Sequence, residues 1–99
     1  MEKKILEDKI TILYFSGAIC GACEVIKKKI NRVLLDYKEV AFIEINGVEE
    51  KEIAAKYDVF SLPLMILFIE GKESLRMGRN IDILEFKNAI DRYYNLIYK

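Results

Sequence analysis

The sequence predicts an α/β domain: a central four-stranded mixed sheet flanked by three helices, in the order β-α-β-α-β-β-α. Three observations carry that prediction. Apolar runs of strand length alternate with stretches in which apolar residues recur at steps of three and four, the helical spacing. The only two cysteines sit three apart, in Cys20-Gly21-Ala22-Cys23, between a strand-like run and a helix-like one. The only proline, Pro63, opens the most apolar run of the chain.

Taken in order, residues 1–9 mix charge with Ile5 and Leu6, with room for a short helix or an edge strand. Ile10 to Phe15 is almost unbroken apolar sequence, as expected of a strand covered on both faces. Ser16 to Ile19 is a loop of mostly small residues that delivers the chain to Cys20. From Gly21 to about Asp36, Ala22, Val25, Ile26, Ile30, Val33, Leu34 and Tyr37 mark one helical face, with Lys27, Lys28, Asn31 and Arg32 largely on the other. Val40 to Ile45 reads as the next strand. Asn46 with Glu49 has the form of a capping box, opening a short helix through Tyr57 with Ile53, Ala54 and Tyr57 inward. Such a β-α-β-α order favours parallel strands and right-handed crossovers. Leu64 to Ile69 is a strand that tolerates a proline at its start. Glu70 to Glu73 is a tight turn in which Gly71 can take positive φ. Ser74 to Met77 alternates like an antiparallel edge strand. Ile83, Phe86, Ile90, Tyr93 and Ile97 define a last helix to about Tyr98, with Asp82 and Glu85 negative near its start. Tyr94 and Tyr98 fall partly off that stripe, where they could offer a modest partner surface.

The 99 residues suit one domain, 1–99, with one core. A composition 53% apolar and 32% charged describes a folded globular chain. Sixteen basic residues balance sixteen acidic ones, so bulk charge gives no support for a nucleic-acid partner. No apolar run reaches the roughly 20 residues of a membrane helix, and the charged start lacks the apolar core of a signal peptide. The expected setting is cytoplasmic and reducing, where a close cysteine pair cycles or binds metal more readily than it forms a structural disulfide.

A Cys-x-x-Cys at a strand-to-helix junction reads as a thiol–disulfide pair. With Cys20 capping the helix and Cys23 in its first turn, both side chains lie on one face. The unpaired first-turn N–H groups and the helix dipole then favour a thiolate on Cys20. Gly21 and Ala22 are small enough to let a partner chain approach the sulfur.

The chain resembles the thioredoxin family on three stretches: Cys20-Gly21-Ala22-Cys23, Tyr57-Asp58-Val59-Phe60-Ser61-Leu62-Pro63, and Phe68-Ile69-Glu70-Gly71-Lys72 leading to Gly78. The likeness covers nearly everything from Ile10 and implies a thioredoxin-like fold. It implies a cis bond between Leu62 and Pro63, packed against the disulfide, with the Leu62 backbone offering hydrogen bonds to a substrate peptide. Departures accompany it. Ile19 stands where the family has Trp, and Gly21-Ala22 where it has Gly-Pro. Register puts Tyr14 and Phe42 at the positions of the family's buried Asp and Lys, which help move a proton at the second cysteine. Glu24 stands where many relatives are basic. The nine residues before the first strand are fewer than the family's N-terminal strand and helix occupy.

The resemblance implies a thiol–disulfide oxidoreductase acting on protein disulfides, with Cys20 as nucleophile and Cys23 as resolving thiol. Ile19, Gly21, Ala22, Leu62 and Pro63 are the expected substrate-binding residues. The electrons come from an external reductase or a small thiol, the expected state is monomeric, and no cofactor is called for. The alternative is a binding module that keeps the fold with little catalysis. A zinc or iron–sulfur site needs four ligands and so two copies of the motif.

Overall fold

The computed structural model describes residues 8–17 and 21–98. Seven elements follow in the expected order: β1 (Ile10–Ser16), α1 (Gly21–Leu34), β2 (Ala41–Asn46), α2 (Lys51–Lys56), β3 (Leu64–Ile69), β4 (Lys72–Met77) and α3 (Ile83–Tyr98). They build a mixed sheet of order β2-β1-β3-β4. β1 runs parallel to β2 and antiparallel to β3, which pairs antiparallel with β4. An N-terminal element before residue 8 lies outside the described residues. Among the described residues no helix is long and apolar enough to cross a membrane.

All seven residues of β1 are buried, because both faces of this central strand are covered. Its alternation splits the interior in two. Ile10, Ile12 and Tyr14 pack with Ile26 and Ile30 of α1 and Phe86 and Ile90 of α3. Leu13 and Phe15 pack on the other side with Ala54 of α2, Val59, Ile66 and Phe68.

Several local readings change. Asn46 does not cap α2: its Oδ1 accepts from the N–H groups of Val48 and Glu49 at 2.9 and 3.1 Å, closing a side-chain turn. The helix begins only at Lys51, behind Glu50, which makes no side-chain cap bond. The β3–β4 turn has two residues, Glu70 at φ 50° and Gly71 at φ 83°, the left-handed pair that matches strand twist. β4 therefore starts at Lys72, and the register step from Leu75 to Glu73 leaves Ser74 as a bulge. Val25 is 53% exposed and lies off the α1 stripe. Tyr94 and Tyr98 belong to the packing of α3. Tyr94 meets the Tyr37 ring edge-on at 5.1 Å and hydrogen-bonds Glu39, and Tyr98 lies 4.8 Å from Tyr94.

Candidate active site

The carboxyl ends of β1 and β2 lie side by side, where parallel strands leave a crevice for a site. The Gly47 N–H donates to the Ser16 carbonyl oxygen at 2.8 Å and ties the two strand exits together. β3 enters from the opposite direction, with Leu64 opposite Phe15. That register sets Leu62 and Pro63 beside the exit of β1. A Cβ on Gly17 would stand 3.3 Å from Leu62 Cδ1, and one on Gly47 only 2.9 Å from Leu62 Cδ2. The two glycines thus let Leu62 settle between the loops.

Cys23, in the first turn of α1, is 2% exposed and is not a free thiol. Gly21 is exposed, with nothing within 4 Å of where its Cβ would be. Ala22 is half-buried, Leu62 is half-buried and Pro63 is buried. The Leu62–Pro63 peptide bond is cis. Ala18, Ile19 and Cys20 lie outside the described residues.

Beneath the helix start, the Tyr14 hydroxyl donates to the Cys23 carbonyl oxygen at 2.6 Å. Burial first, then the charges of Glu44 and Glu24, push the Tyr14 phenol up to about 12, so it holds its proton at neutral pH. Across the strands it has two neighbours on β2. Glu44 stands opposite Tyr14, and Phe42 stacks on the Tyr14 ring at 5.9 Å. Glu44 accepts from the Ser16 hydroxyl at 2.7 Å and pairs with Lys27 of α1 at 2.7 Å. The Lys27 bond, aided by Ser16, holds its carboxyl below the usual range against the pull of partial burial. A charged residue alternating with Phe42 on a sheet face was the available signal for this group. In sequence Lys27 is one of three consecutive lysines on α1 and nothing local sets it apart.

Two arginines missed from sequence position the proline loop. Arg76 of β4 donates to the carbonyl oxygens of Tyr57 at 2.7 Å and Asp58 at 3.1 Å, and Glu73 braces it through two further bonds. Arg79, just beyond β4, donates to the Leu62 carbonyl oxygen at 3.2 Å. Nothing in their local sequence distinguishes them from ordinary surface arginines.

The sequence matches the profile of the Thioredoxin family over residues 1–92. The chain belongs to the thioredoxin family. It is 28% identical over 96 residues to the thioredoxin-like protein YdfQ of Bacillus subtilis, covering 97% of this chain and 86% of that one. It is 33% identical to the mitochondrial thioredoxin-2 of Schizosaccharomyces pombe, over 91% of this chain and 67% of that one. Among solved structures, Fasciola hepatica thioredoxin superposes with a TM-score of 0.79 at 28% identity, covering 93% and 89% of the two chains. A mutant thioredoxin from Halobacterium salinarum has the same fold, with a TM-score of 0.82 at 20% identity over 94% of this chain and 81% of that one. Thioredoxin membership supports a thiol–disulfide oxidoreductase in general terms. Under the first helix this chain carries a neutral phenol, Tyr14, and a lysine-paired glutamate, Glu44.

Proposed function

We propose that the protein reduces or exchanges protein disulfides through a Cys20/Cys23 dithiol. The seat of Cys23 carries this reading: a buried cysteine in the first turn of a helix, three residues after its only fellow cysteine, in a chain of this family. Cys20 attacks one substrate sulfur as thiolate. The substrate S–S bond breaks, a mixed disulfide forms, and the departing thiolate takes a proton from solvent. Cys23 then loses its proton and attacks the Cys20 sulfur, releasing the second substrate thiol. Two electrons and two protons have passed to the substrate, and the pair is left oxidised. A reductase protein or a small thiol returns the electrons. Ile19, Gly21, Ala22, Leu62 and Pro63 line the substrate path, which the open space over Gly21 favours. A monomer in the cytoplasm is part of the proposal.

Tyr14 favours a second reading, a binding module with weak catalysis. A phenol at about 12 cannot accept the Cys23 proton near neutrality, so resolution is slower than with a buried acid. An equilibrium redox titration, read by thiol alkylation and intact mass, separates the two. A reversible two-electron transition near or below about −200 mV supports the reductase. If no intramolecular disulfide forms at any poise, the binding module is the better account. Cys20→Ser abolishes attack and Cys23→Ser accumulates mixed disulfides; activity surviving Cys20→Ser overturns the assignment.

A further inference from the structure

The turn after β4 closes on the proline loop. Besides the Arg79 bond to Leu62, a Cβ on Gly78 would stand 4.0 Å from the Pro63 carbonyl oxygen. The two arginines that grip this loop are used differently. Arg76 spends its donors on Glu73, Tyr57 and Asp58. Arg79 is exposed and forms no ion pair among the described residues. A guanidinium has five N–H donors in one planar fork, so a single carbonyl leaves its charge and most of its donors to solvent. Asp82 and Glu85 line the same cavity of about 410 Å³ as Arg79, and neither is bonded to it. Asp82 instead accepts the Glu85 N–H at 3.1 Å. On the same loop the Phe60 side chain is 85% exposed, an apolar contact surface three residues before Pro63.

We propose that Arg79 is a specificity residue, selecting substrate segments that carry Asp or Glu beside the reacting cysteine. The proposal rests on the oxidoreductase reading. Any segment brought against the Leu62 backbone comes within reach of the guanidinium bonded there. One anchored nitrogen holds the fork in place, so a carboxylate can meet the remaining donors with little further ordering.

The test uses three disulfide-linked peptides, identical except for Asp, Asn or Lys next to the cysteine. Their reduction rates are measured with the whole chain and with Arg79→Ala, Arg79→Lys and Arg79→Glu, alongside bis(2-hydroxyethyl) disulfide as an uncharged control. The expected order is Asp over Asn over Lys, with a preference of about fivefold that shrinks in added salt. With each peptide's rate taken relative to that of the small control on the same variant, Arg79→Lys keeps the order, Arg79→Ala flattens it and Arg79→Glu inverts it. A merely structural Arg79 would slow every peptide alike. Reduction with no charge preference, or a preference that survives Arg79→Ala, overturns this inference and leaves the oxidoreductase standing. Failure to reduce any disulfide, the control included, overturns both.

Discussion

The Tyr14 hydroxyl ties the central strand to the first turn of α1 through the Cys23 carbonyl oxygen, 2.6 Å away. Tyr14→Phe keeps the ring and its stacking on Phe42 and removes only this bond. The expected cost is about 1 kcal/mol, or about 4–8 °C in Tm for a domain of this size. The variant also reports on alkaline pH. The folded phenol titrates at about 12, above its ordinary 10.0, so its contribution is complete below pH 10 and is lost as pH rises towards 12. Thermal melts across that window should show the stability gap between wild type and Tyr14→Phe closing. A gap that stays constant to pH 12 would rule out the buried neutral phenol.

Glu44 works in the other direction. Its carboxyl sits below the ordinary 4.5, chiefly through the Lys27 hydrogen bond. The stability it adds is present above pH 4.5 and fades as pH falls through the lower folded value. Glu44→Gln should therefore be less stable than wild type at neutral pH and match it in acid. Added salt should narrow the neutral difference, because the pair is partly exposed. Urea titrations at several pH values measure both effects.

Gly47→Ala sets a methyl 2.9 Å from the tip of Leu62. Overpacking of this kind costs up to about 1 kcal/mol where a half-buried side chain can swing away, and here it moves the Leu62 side chain beside Pro63. Disulfide reduction should fall along with stability. Leu62→Ala removes the clash, so the two substitutions should be non-additive in a double-mutant cycle. Additive losses would mean that the Leu62 side chain does not sit against Gly47.

Asp82 caps α3 by accepting the Glu85 N–H at 3.1 Å, while its carbonyl accepts from Phe86 at 2.9 Å. Asp82→Ala should cost about 1 kcal/mol and Asp82→Asn very little, since both native and Asn side chains supply the capping oxygen. Equal losses in the two variants would assign the effect to charge near the helix start instead.

Periodicity alone determined the order of the seven elements, the burial of β1 on both faces and the helical stripe of Phe86 and Ile90 on α3. These follow from local alternation between periods of two and 3.6, which any sequence window displays. Pro63 at the head of β3 and the left-handed Gly71 were legible for the same local reason. The tertiary structure decided what depends on register and on residues far apart in the chain. The parallel pairing of β1 with β2 put Glu44 opposite Tyr14, and the packing of α1 brings Lys27 to it. Asn46 looked like a helix cap because a cap and a side-chain turn share one short motif. Arg76 and Arg79 reach back 17 to 19 residues to carbonyl groups of the proline loop. Their targets are backbone atoms, which carry no sequence signature, so folding alone reveals the contacts.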